Sequence, residues 1–174
     1  MAKESNAIEI EVNLPEGLEW ISLKGHFFDM IGIKTSDNVC FLGDALFSEE
    51  TIMKYHVFFL YDVKAYLETL DKLSLLNCDM YVPSHCEASS DISNLIEINR
   101  EKIHEILDTV YTICTNPKPF ETILKEIFDK YGLQMNVNQY VLIGSTIKAY
   151  LSYLKDNGKI TYIFEDNKML WMKV

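Results

Sequence analysis

Arginine is almost missing from this chain: 174 residues contain one, Arg100. Arginine reads base edges and clamps phosphates with paired hydrogen bonds, so its scarcity argues against a sequence-specific nucleic-acid binder. Basic charge is short in general, with 16 Lys and Arg against 26 Asp and Glu and a formal net charge of −10. Such a balance disfavours non-specific attraction to a polyanion. The four cysteines, Cys40, Cys78, Cys86 and Cys114, are widely spaced and include no Cys-x-x-Cys pair. That spacing indicates neither a zinc knuckle nor a disulfide framework, and buried reduced thiols are expected. No apolar run approaches the roughly 20 residues of a membrane span, and no charged-then-apolar leader opens the chain. A cytoplasmic location is the expectation. Histidine is also scarce, with four in all, and none precedes His26.

What is present is an ordinary globular mixture, 48% hydrophobic and 24% charged, enough for one sizeable core or two small ones. The charge is unevenly spread. Residues 1–114 hold 8 Lys/Arg against 20 Asp/Glu, whereas residues 115–174 hold 8 against 6. The composition changes at Asn116-Pro117-Lys118-Pro119, where two nearby prolines stop a helix and favour an extended linker. The expected domains are therefore 1–114 and 115–174.

Periodicity places the elements. Ile8 to Val12 alternates apolar and acidic residues, as a half-exposed strand does. Further strands are expected at Leu18 to Leu23, Met30 to Lys34, Val39 to Leu42 and Met80 to Val82. Ser48 is placed to cap a short helix. Asp62 to Leu76 has helical spacing, and Ser90 or Asp91 is the expected cap of a long helix after it. Beyond the prolines, helices are expected at Phe120 to Tyr131 and Val137 to Asn157. A hairpin closes the chain around Glu165-Asp166-Asn167-Lys168.

Three segments each end a strand-like run with a potential metal ligand: Lys24-Gly25-His26, Phe41-Leu42-Gly43-Asp44-Ala45-Leu46-Phe47-Ser48 and Tyr81-Val82-Pro83-Ser84-His85. A hydrolytic metal site needs imidazole and carboxylate donors on a rigid frame, and strand ends with tight turns supply one. A carboxylate such as Asp44 can bridge two cations. Taken singly, each segment is weak, because a lone histidine or a Gly-Asp turn is usually structural. Their order and surroundings carry the signal.

That order resembles the C-terminal half of a metallo-β-lactamase-fold hydrolase. The resemblance implies an α/β (α+β) fold, half of an αββα sandwich, with His26, Asp44 and His85 as ligands of a dinuclear site. Zinc is the expected metal, with manganese or iron as alternatives. The implied activity is cleavage of a small ester, lactone or thioester by a metal-bound hydroxide. The family's N-terminal His-x-His-x-Asp-His motif does not occur, so the chain is expected to be a fragment, inactive alone and possessing no catalytic residue of its own. The family usually has Gly after its last His, where this chain has Cys86, a thiol that could ligate, oxidise or pack. Asp29 either orients His26 from behind or is a solvated turn carboxylate. His56 either lines the substrate entrance or packs, and His104 is read as a surface residue.

Residues 115–174 resemble the winged-helix appendage found in a subset of that family, through Leu151-x-x-Leu154-x-x-x-Gly158 and Trp171. Two alternatives stand beside the hydrolase. Half a sandwich leaves an apolar sheet face without a cover, which suggests a metal-free interaction module that forms a homodimer through that face or the C-terminal domain. A DNA-binding winged helix is the other, weakened by a candidate recognition helix offering only Lys148 and Lys155.

Overall fold

Residues 14–174 are described by a computed structural model, so the alternating segment Ile8 to Val12 lies outside the described residues. Among the described residues, seven strands and five helices follow one another, in a mixed α/β architecture with two sheets. The first sheet has the order β1-β2-β3-β4, formed by β1 (Leu18–Ser22), β2 (Ile31–Thr35), β3 (Val39–Phe47) and β4 (Met80–His85). The first three strands are antiparallel neighbours, while β3 and β4 run parallel. A parallel pair needs a crossover. Here helices α1 (Glu49–Tyr55) and α2 (Val63–Leu75) provide it. Helix α3 (Ser93–Ile113) joins α2 against β3 on one face of the sheet.

Local chemistry explains most element boundaries. Ser48 Oγ accepts the Thr51 N–H at 3.2 Å and starts α1, and Asp62 Oδ1 accepts the Ala65 N–H at 3.0 Å and starts α2. The long helix departs from expectation: its cap position is Ile92, without a side-chain bond, and Asp91 instead accepts the Ser93 N–H at 2.8 Å. Strand β3 is also longer than the Val39 to Leu42 expected. It continues through Gly43, whose φ is 55°, and its register against β4 shifts on both sides of that residue. The bulge re-aims the strand without ending it.

Two sequence expectations are corrected. The Asn116 to Pro119 stretch is not a free linker, because Lys118–Pro119 forms strand β5, paired with Trp171 and Leu170. An edge strand tolerates proline, whose missing N–H costs no ladder bond there. Nor are all four thiols reduced. Cys40 and Cys78 form a disulfide, brought together because the pairing of β3 with β4 sets Cys40 beside Tyr81, just past Cys78. Spacing along the chain gives no hint of that contact. Cys86 and Cys114 are free.

The C-terminal part consists of α4 (Phe120–Tyr131), α5 (Val137–Asp156), β6 (Ile160–Glu165) and β7 (Lys168–Lys173), with a sheet of order β5-β7-β6. Helix α4 ends at Gly132 in the left-handed region, and Asn136 caps α5 through the Gln139 N–H. Asp166 and Asn167 both have positive φ, as a two-residue hairpin turn of the primed type requires. One hydrophobic cluster runs from Leu23 to Ile160 and takes residues from both parts of the chain.

Candidate metal centre

His26, Asp44 and His85, far apart in sequence, meet on one carboxylate. His26 Nε2 lies 3.4 Å from Asp44 Oδ2, and His85 Nε2 lies 3.4 Å from Asp44 Oδ1. Side-chain exposure rises from 19% at His26 to 37% at Asp44 and 45% at His85, so the group is open toward solvent on the His85 side. Each side of the carboxylate offers two donors, one imidazole nitrogen and one oxygen. Among the described residues no group of three or more His, Cys, Asp or Glu side chains is arranged to hold a metal ion.

The backbone around each donor explains its placement. Gly25 has φ 124°, and its carbonyl accepts the N–H groups of Tyr61 and Asp62 at 2.9 and 3.0 Å. A Cβ at Gly25 would lie 2.3 Å from the Tyr66 nitrogen, so only glycine lets the His26 loop approach the start of α2. Asp44 follows the bulge at Gly43. His85 is the last residue of β4 and pairs with Phe47 of β3. The Phe47 ring lies 5.4 Å from that of His85 with an interplanar angle of 12°, and 5.7 Å from that of His26.

Behind the donors lie groups that sequence reasoning did not single out. His26 Nδ1 is 2.9 Å from the Phe59 carbonyl, so Nδ1 is the donor there, and in the neutral ring the Nε2 lone pair faces Asp44. Burial lowers the proton affinity of His26 and His85 lowers it further, while Asp44 and the Phe59 carbonyl oppose this. The same peptide unit is held on its other side, where the Leu60 N–H donates to Thr146 Oγ1 of α5 at 3.1 Å. Asn99 of α3, fully buried, accepts the Phe47 N–H at 3.1 Å and donates to the Phe47 carbonyl at 2.8 Å. Tyr66 also donates to the Asn99 Oδ1, at 3.0 Å. The available signal for Asn99 was an amide within the apolar stripe of a helix. For Thr146 and Phe59 there was none.

The other expected participants have different partners. Asp29 does not orient His26. It is exposed and pairs with Lys24 at 3.2 Å, in line with the alternative of a solvated turn carboxylate, and the Phe59 carbonyl meets His26 instead. Cys86 donates weakly to the Leu46 carbonyl at 3.6 Å, and burial pushes its thiol up to about 11, so it is neutral and packs against β3. His56 stacks on Tyr131 of α4, with ring centres 5.3 Å apart, and His104 is exposed on α3.

A cavity of about 820 Å³ opens beside His26 and His85. Helix α1 and its flank give it Ser48, Thr51, Lys54 and Tyr55, the following loop gives Val57, Phe58 and Phe59, and α5 gives Gln139, Leu142 and Ile143. The volume falls in the range of about 300–1,000 Å³ typical of small-molecule sites.

Residues 10–85, which include His26, Asp44 and His85, match the sequence model of the Metallo-beta-lactamase superfamily. A metallo-beta-lactamase family protein from Thermus thermophilus superposes with a TM-score of 0.70 at 16% identity, over 90% of this chain and 49% of that one. A beta-lactamase domain protein from Burkholderia ambifaria does so with a TM-score of 0.72 at 16% identity, over 90% and 48%. The chain thus spans about half the length of these solved structures, and the likeness establishes the fold. No curated protein matches. No helix among the described residues is long and apolar enough to cross a membrane.

Proposed function

We propose that this chain carries part of the metal site and one wall of the substrate pocket of a metal-dependent hydrolase that cleaves a small ester, lactone or thioester. The observation that carries the proposal is the pair of histidines on the two oxygens of Asp44. With Nδ1 donating to Phe59, neutral His26 presents a lone pair to a carboxylate oxygen 3.4 Å away. Two acceptors so placed repel unless a cation lies between them. A divalent metal in the gap would relieve that repulsion. His26 and Asp44 would hold one ion and His85 and Asp44 a second, two donors each, where zinc usually takes four. A bound divalent cation would supply a Lewis acid for a carbonyl oxygen and lower the pKa of water at neutral pH. Around it, the Phe59 carbonyl orients His26 and the Phe47 ring packs against both imidazoles.

Titration of the metal-stripped chain with zinc and with manganese tests the assignment. Wild-type protein is expected to bind with Asp44→Ala weakened at least tenfold, since Asp44 serves both sides. Equal binding by wild type and Asp44→Ala would refute it.

In the C-terminal part, two helices and a three-stranded sheet support the winged-helix layout, with a packing role. Lys148 lies over the Phe120 ring at 4.8 Å, Lys155 sits 3.5 Å from Asp156, and Arg100 pairs with Asp71 at 2.8 Å. These local engagements favour a protein-packing role over DNA binding.

A further inference from the structure

Helix α1 is thinly anchored for an element that forms a cavity wall. Of its seven residues Ile52 is buried, while Met53 and Tyr55 are exposed, yet the helix supplies Glu50, Thr51, Lys54 and Tyr55 to the cavity beside the histidines. Its first turn is fixed, through the Ser48 cap and through Phe47, which Asn99 holds. Its other end does not sustain itself. His56 has φ 55° and ψ −52°, and the Val57 N–H donates back to the Tyr55 carbonyl at 2.5 Å. That is a three-residue turn of the rare γ form, which a residue with a Cβ disfavours and which persists where surrounding contacts over-determine it. The contact here is Tyr131 of α4. Its ring and that of His56 stack with centres 5.3 Å apart and an interplanar angle of 20°.

We infer that Tyr131 is a positioning residue for the cavity. Through His56 it holds the end of α1, and with it Lys54 and Tyr55, in the wall that a ligand would meet. The inference rests on the hydrolase reading for the role of the cavity and on these contacts for the rest. Tyr131 is itself held in place. Its hydroxyl donates to Glu105 of α3 at 2.8 Å, Lys102 Nζ donates to the same carboxylate at 2.7 Å, and that ammonium lies 4.7 Å over the Tyr131 ring. Lys102 is buried, so the three groups have little room to rearrange. Contacts thus run from α3 through Tyr131 and His56 to α1, a route separate from the Thr146 and Phe59 contacts that serve His26. Glycine would accept the backbone at position 56 more easily, but it offers no ring to stack.

Hydrogen exchange of the metal-stripped chain, followed by mass spectrometry, tests the inference, because amides freed by a loosened turn exchange faster. Tyr131→Leu is expected to speed exchange across residues 52–57 at least tenfold while α2 keeps its wild-type rate. Tyr131→Phe, which keeps the ring and loses the hydroxyl, is expected to stay within threefold of wild type. His56→Asn, which tolerates positive φ but cannot stack, is expected to match Tyr131→Leu. The double variant is expected to exceed neither, because both changes remove one contact. Unchanged exchange in residues 52–57, equal acceleration in α1 and α2, or additive effects in the double variant would overturn the inference. If Tyr131→Leu does not fold, His56→Asn carries the same expectations. The measurement needs neither metal nor substrate, so it is independent of the Asp44 titration: equal metal binding by Asp44→Ala refutes the hydrolase reading, and unchanged α1 exchange refutes the role of Tyr131.

Discussion

The two parts of the chain serve the candidate site in different ways. Residues up to 114 hold every candidate donor and fix Phe47, the strand partner of His85, through Asn99, which bonds both polar groups of the Phe47 backbone. The part beyond 115 contributes no donor. Its hold on the donors is a single hydroxyl, Thr146, on the far side of the peptide whose carbonyl meets His26. The difference teaches that the C-terminal part is tied to the site by backbone geometry and by the cavity wall, and that removing it would disturb His26 before Asp44 or His85.

Substitutions can break this contrast in a graded series. Asn99→Ala should cost most, about 4 kcal/mol, because it leaves the Phe47 N–H and the Tyr66 hydroxyl buried without their acceptor, at about 1–3 kcal/mol each, besides opening a void. Urea unfolding would measure it, and a loss below about 1 kcal/mol would mean that water replaces the amide. Thr146→Val should cost less, about 1–2 kcal/mol for one orphaned N–H. Its sharper signature is at His26, whose imidazole nitrogen shifts should move by NMR, while those of His85 stay. Thr146→Ser should restore both readings, and movement of both histidines would erase the distinction between the two parts.

The smallest effect is expected on the other face of the first sheet. Trp20, Ile33, Phe41 and Val82 form one row across its four strands, and Trp20 and Phe41 remain 38% and 47% exposed. Phe41→Lys should change stability by no more than about 0.5 kcal/mol in a monomer. If light scattering shows self-association of the wild type that Phe41→Lys abolishes, this face is a contact between copies, and its energetic neutrality fails with it.

Much of this arrangement could be read from residue order. His26, Asp44 and His85 each end an apolar run beside a glycine or proline, and caps such as Ser48 and Gly132 announce themselves by local chemistry. Illegible features were those set by pairing between distant segments. The extension of β3 through its bulge, the conversion of Lys118 and Pro119 into a strand, and the bonding of Cys40 to Cys78 all depend on neighbours 38 or more residues away. At Asp29 residue order left two readings, a partner for His26 or a solvated turn carboxylate; the second agrees with its exposure, and a carbonyl 33 residues away meets the ring.

The Cys40–Cys78 bond also changes what a cut in the chain would mean. Both crossover helices lie inside the covalent loop it closes, and so does Asp44. Cleavage by trypsin at Lys54 or Lys64 would leave the two pieces migrating as one on a gel until a thiol was added. The strand that carries His85 would stay tethered beside the one that carries Asp44.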